Sequence, residues 1–149
     1  MYTYTATVRR VVDGDTIDVD IDLGFSVWLD KQRIRLIGID APAARTRNKE
    51  EKIRGLLSKE KLKSLCPVGS LIQLKTHKDD KGKFGRILGE LIVDTASEDL
   101  ANLDITRRVN VNQWLVENNY AVTYSGQRKE DMEREHTRNS KILAERGEI

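Results

Sequence analysis

The chain has a single cysteine, two prolines and only 5% aromatic residues among its 149, and it contains no apolar run of bilayer-spanning length. With Cys66 alone, a disulfide scaffold and a cysteine-based metal or redox pair are excluded, and an ordinary reduced thiol is expected. A membrane-spanning helix needs about 20 predominantly apolar residues, which a composition of 34% charged residues does not supply. No membrane partner is therefore expected. The N-terminal stretch MYTYTATVRR lacks the apolar block of a signal peptide, which points to a cytoplasmic setting unless a leader was trimmed to give this Met1.

The length suits one domain, residues 1–149, able to bury roughly two-thirds of its unfolded surface without covalent staples. A net charge of +2 conceals a segregation: residues 1–44 carry −2, residues 45–86 carry +8 and residues 87–149 carry −4. Such a pattern fits a cation site beside a polyanion surface, or an acidic sheet followed by a solvated basic helix.

Asp13-Gly14 between apolar runs predicts a hairpin of two strands, residues 2–12 and 16–23. In the second, Ile17, Val19, Ile21 and Leu23 alternate with Asp18, Asp20 and Asp22, so one face is core and the other solvated. Gly24 permits a bend, and Asp30-Lys31-Gln32 reads as another turn before a strand from Arg33 to Ile39. Residues 46–65 predict a helix capped by Thr46 or Asn48, with Ile53, Leu56, Leu57, Leu62 and Leu65 as its apolar stripe and a stop at Pro67 and Gly69. Two further strands, 71–74 and 87–93, flank a basic, Gly-rich loop; residues 94–108 read as an exposed connection. Asn112 is a candidate cap for a short helix, and Gln127–Arg146 predicts a terminal helix with a thin apolar face of Met132, Ile142 and Leu143. This order matches a β-barrel with helices: a five-stranded barrel of the oligonucleotide-binding (OB) type with about three packed helices.

Three segments carry possible chemistry. Asp13-Gly14-Asp15-Thr16 offers hard oxygen ligands but fails as a helix–loop–helix calcium loop, because Asp18 and Gly24 stand where Gly and Glu are required. Taken alone it reads as a type I′ turn with solvated acids. In Arg33-Ile34-Arg35-Leu36-Ile37-Gly38-Ile39-Asp40-Ala41-Pro42, Arg35 projects from a face that is otherwise apolar further along and needs a partner, for which Asp40 is the candidate. Lys83-Phe84-Gly85-Arg86 delivers an Arg at the start of a strand; its planar fork suits phosphate, although taken alone the segment reads first as a solvated hairpin loop.

Together, and in this order, the three motifs resemble those of the staphylococcal nuclease (thermonuclease) family. Val111-Asn112-Gln113-Trp114-Leu115-Val116-Glu117 extends the resemblance to roughly residues 5–125. The resemblance implies an OB barrel with three helices and calcium-dependent hydrolysis of DNA and RNA, leaving 3′-phosphate ends. It implies Asp15 and Asp40 as Ca2+ ligands with the backbone oxygen of Ala41, Arg35 and Arg86 on the scissile phosphate, Lys83 as a nucleotide-phosphate contact and Phe84 as a stacking surface in place of the family's usual Tyr. The departure is Ala43, which stands where the family has the Glu proposed to orient or deprotonate the attacking water. A methyl group accepts no proton, and general-base help is typically worth about 10² to 10⁴ in rate. Three explanations fit: a substitution introduced into an otherwise intact site, a naturally non-catalytic nucleic-acid-binding module, or Glu50 or Glu51 reaching in from the helix. The first is preferred, and the third least, because those acids already suit the helix N-terminus. His77 and His136 lie in no motif that requires imidazole and are expected on the surface.

Overall fold

A computed structural model describes residues 2–77, 87–96 and 106–149. In chain order the elements are β1 (Thr3–Asp13), β2 (Thr16–Asp22), β3 (Trp28–Leu36), β4 (Ile39–Asp40), α1 (Lys49–Leu65), β5 (Leu71–His77), β6 (Ile87–Ala96), β7 (Thr106–Asn110), α2 (Val111–Glu117), β8 (Val122–Thr123) and α3 (Lys129–Glu145). Antiparallel pairing joins β3 to β2, β2 to β1, β1 to β5 and β5 to β6, and a parallel pairing of β3 with β6 closes the ring. The result is a closed, mixed five-stranded barrel of the OB type with three helices, as expected. β7 extends the sheet along β6, and β4 pairs with β8.

The core follows the period-two pattern. Ile17, Val19 and Ile21 are buried against Val8, Ile34, Leu36, Leu74 and Leu91, each such side chain contributing about 1.5–3 kcal/mol on burial. Leu23 departs from its row and is exposed, because β2 ends at Asp22 and the chain turns through Gly24, Phe25 and Ser26, all with positive φ. The Asp face of β2 is paired as well as solvated: Asp18 takes both Nε and Nη2 of Arg33, at 2.9 and 3.1 Å, and Asp20 lies 3.5 Å from Arg9.

Several local expectations are corrected. Asp30-Lys31-Gln32 is not a turn but lies within β3, where the register jumps from Val19–Gln32 to Ile21–Leu29. Lys31 adopts φ 50° at this irregularity and donates its N–H to Asp20. Around the β1–β2 tip, neither Gly14 nor Asp15 has the positive φ that a type I′ turn requires. Glycine is needed there for space, since a Cβ would lie 2.6 Å from Cβ of Ser58 on α1.

Helix α1 is capped by Asn48, whose side chain accepts from Glu50 N and Glu51 N, but it buries Gly55, Ser58 and Leu62 and leaves Ile53 and Leu56 exposed. Small residues win this face because the helix lies against the backbone: a Cβ on Gly55 would sit 2.1 Å from the Ala43 carbonyl oxygen. Residues 94–96 and 106–108, expected in a connection, are β6 and β7, paired over Ile92–Ala96 and Thr106–Asn110; 97–105 lie outside the described residues. The cap of α2 is Asn110, which accepts from Gln113 N. Asn112 is instead buried, donating to the carbonyls of Ile37 and Gly89 and accepting from Leu91 N.

Candidate active site

The barrel brings three separately coded segments together. In the β2–β3 ladder Thr16 stands opposite Arg35, and Leu36 N donates to the Asp15 carbonyl at 2.8 Å, which fixes the β1–β2 tip against the end of β3. The chain then reverses through Gly38 (φ 79°) into β4, which ends on Asp40. Nη2 of Arg35 lies between the two carboxylates, 3.4 Å from Asp15 Oδ2 and 3.5 Å from Asp40 Oδ1, while its Nη1 donates to the Leu36 carbonyl at 3.0 Å. The expected Arg35–Asp40 pair is therefore one side of a bridge whose other side is Asp15.

Asp15 is not a solvated turn acid. It is 8% exposed, accepts from the Thr16 hydroxyl on Oδ1 and from Ala41 N on Oδ2, both at 2.9 Å, and burial raises its pKa above the usual carboxylate value. Arg35 and the two hydrogen bonds pull in the opposite direction, and the neighbouring Asp40 adds to the rise. One guanidinium shared by two carboxylates leaves negative charge under-compensated in a desolvated place, an environment that favours a further cation.

A hollow of about 780 Å³ opens over this constellation, and Asp15, Arg35, Asp40, Ala41 and Ala43 all line it. Its donor set is oxygen-rich, which suits a hard cation such as Ca2+ that completes its shell with carbonyls and water. Among the described residues no group of three or more His, Cys, Asp or Glu side chains is gathered as a metal cage, so the two carboxylates would be supplemented by oxygens of other kinds. Lys83, Phe84 and Arg86 lie outside the described residues.

Two side chains that the motifs did not identify reach the same region. His136, expected on the surface, has a largely buried side chain, and its Nε2 lies 2.8 Å from Asp40 Oδ2. It comes from α3, which follows β8, the short strand paired with β4; the pairing of Asp40 with Val122 anchors that approach. Arg54 of α1 donates to the His136 carbonyl at 3.2 Å, tying α3 to α1. The signal was the helical spacing of Met132, His136, Asn139 and Leu143, which puts His136 on the face that includes buried Asn139 and Leu143. Glu51 is the second. Its Oε1 lies 3.4 Å from Ala43 N, and with Asp40 and His136 it lines a neighbouring hollow of about 800 Å³. Of the two helix acids considered from sequence, Glu51 is the one placed at position 43.

A closed OB barrel with three helices and an Arg bridging two carboxylates defines the domain class. The family model described as "Staphylococcal nuclease homologue" matches residues 33–147, and the chain belongs to that family. That span takes in Arg35, Asp40 and position 43, whereas Asp15 lies before it and joins the site through the hairpin geometry. The chain is also 34% identical over 126 residues to a protein of Bacillus subtilis (strain 168) named Endonuclease YhcR; the match covers 81% of this chain and 9% of that protein.

Proposed function

We propose that this domain acts on nucleic acid as a calcium-dependent phosphodiesterase, hydrolysing DNA and RNA to 3′-phosphate ends, and that Ala43 leaves it strongly impaired as it stands. The observation that carries this reading is the Arg35 guanidinium held between Asp15 and Asp40. In this reading Asp15, Asp40 and the Ala41 carbonyl would hold Ca2+, which would supply charge neutralisation and Lewis-acid polarisation of the phosphate. Arg35 orients the phosphodiester and, with Arg86, stabilises the negative charge that grows on its oxygens. Lys83 and Phe84 hold the adjoining nucleotide by charge and stacking. A water oxygen bonds to phosphorus as the bond to the 5′ oxygen breaks, leaving a 3′-phosphate and a 5′-hydroxyl.

Ala43 offers no acceptor for the proton of that water. Glu51, 3.4 Å from the Ala43 amide, supports a residual role for a carboxylate delivered from α1. The alternative is a non-catalytic nucleic-acid-binding module, which the methyl group at position 43 favours.

The test compares this chain with Asp15→Asn on single-stranded DNA, duplex DNA and RNA, in calcium and in chelator, alongside calorimetric titration of calcium with a nucleotide bisphosphate. Slow, chelator-sensitive cleavage and calcium binding that Asp15→Asn abolishes are expected. Binding without any cleavage selects the non-catalytic module, and absence of both calcium and nucleotide binding overturns the two readings together.

A further inference from the structure

Beside the hollow that holds Asp15 and Arg35 lies a second one, of about 280 Å³, into which four elements bring cations: Arg10 from β1, Arg33 from β3, Arg45 from the segment after β4 and Lys59 from α1. Asp13 is the one acid lining it and also lines the first hollow, so the two share a wall. Its Oδ1 accepts from Ala44 N at 3.2 Å, which leaves its charge in place, and it acts electrostatically on Arg33, so this one carboxylate stands against four cations. Arg33 is also bound through two nitrogens to Asp18. Arg10, Arg45 and Lys59 make no ion pair within 4.0 Å among the described residues.

The strand register explains the convergence. Arg10, Asp18 and Arg33 form one row across β1, β2 and β3, next to the row that contains Thr16 and Arg35. Asp18 is the only carboxylate in its row, and Arg33 occupies it, leaving Arg10 unmatched. Residues two apart on a strand project from the same face about 7 Å apart, so this row flanks the Arg35 row within reach of one further unit of a sugar–phosphate backbone. Concentrating cations in excess of carboxylates costs stability through repulsion, a cost that an arriving polyanion removes.

We propose that this hollow is a further phosphate-binding position, distinct from the contact assigned to Lys83, which takes a backbone phosphate next to the one held at Arg35 and makes the domain prefer polynucleotides over dinucleotides. The inference rests on the nucleic-acid reading above. It assigns Arg10, Arg45 and Lys59 to backbone contacts, which position the strand and carry no base specificity.

The test is the triple variant Arg10→Gln/Arg45→Gln/Lys59→Gln. Its control is Arg134→Gln/Arg138→Gln/Lys141→Gln, three exposed α3 cations whose loss changes net charge equally. Binding to a cleavage-resistant phosphorothioate single strand of ~12 nucleotides and to a dinucleotide is measured by fluorescence anisotropy in calcium, over a range of salt. For the triple variant the long strand is expected to bind at least about tenfold more weakly, with a log–log salt slope shallower by about 2, from ~0.7 per lost contact; the dinucleotide is expected to be unaffected. Arg45→Gln alone, outside every helix and strand, is expected to give a smaller loss of the same kind and serves if the triple variant does not fold. Long-strand affinity equal to that of the α3 control overturns the inference, as does an equal loss for the dinucleotide, which would put these cations at the first phosphate. If the parent protein binds neither strand, the nucleic-acid reading itself fails, an outcome separate from failure of the further position alone.

Discussion

His136 Nε2 lies 2.8 Å from Asp40 Oδ2, so the last helix of the chain holds the carboxylate that ends β4. Arg35 takes the other oxygen of the same carboxylate at 3.5 Å. Asp40 is thus clamped from β3 on one side and α3 on the other, which fixes the direction of its carboxylate.

His136→Ala is expected to lower calcium affinity about tenfold, the lower end of what removing a group that orients a metal ligand costs. Global stability should change by only about 1 kcal/mol, the net worth of one hydrogen bond. Calcium calorimetry paired with urea denaturation separates the two effects. Unchanged calcium affinity would mean that α3 plays no part in positioning Asp40.

Gly55→Ala is expected to destabilise the fold by about 2 kcal/mol. Alanine is the better helix former by about 1 kcal/mol, but its Cβ would sit 2.1 Å from the Ala43 carbonyl oxygen and 2.6 Å from Ala44 N. Backbone cannot rotate away as a side-chain tip can, so overpacking, typically about 1–3 kcal/mol or more, prevails. Because α1 would be pushed off the 41–44 segment, calcium affinity should fall together with the urea midpoint. A midpoint at or above that of the parent would contradict the close approach.

The barrel was legible because β2 obeys a period of two, and the first helix because Asn48, Pro67 and Gly69 punctuate it. The candidate site was legible only where it is coded in short motifs. Ile53 and Leu56 misled because α1 packs through Gly55 and Ser58, and a face chosen for closeness to backbone carries no hydrophobic signal. Likewise the Asp30-Lys31-Gln32 segment looks like a turn because an irregularity in a strand uses turn-like residues. His136 was missed for a different reason: its partner is 96 positions away, and nothing in its own neighbourhood requires imidazole. Asp15 illustrates the converse. Its motif was recognised, but its burial and its bond from Ala41 N, 26 positions away, are set only by the tertiary structure.

Alkaline pH should unfold the protein through its buried acids. Burial pushes the Cys66 thiol from 9.0 up to about 12, and burial, followed by the hydrogen bond to Glu148, pushes the Tyr120 phenol from 10.0 up to about 12. Both groups hold their protons more tightly when folded, so their contribution to stability is complete below pH 9 and is lost as pH rises towards about 12. The urea midpoint should therefore fall over that window, and fall less in Cys66→Ala. A pH-independent midpoint would contradict the burial of Cys66, as would rapid labelling of the native thiol by a disulfide reagent.

Replacing Ala43 with Glu tests the central claim most directly. The rate of calcium-dependent cleavage of single-stranded DNA by Ala43→Glu, divided by that of the parent chain, should be about 10² to 10⁴, the usual worth of a positioned general base, and chelation should abolish the gain. A ratio near one, in a variant that still binds calcium and the DNA strand, would contradict the reading of position 43 as the missing catalytic carboxylate.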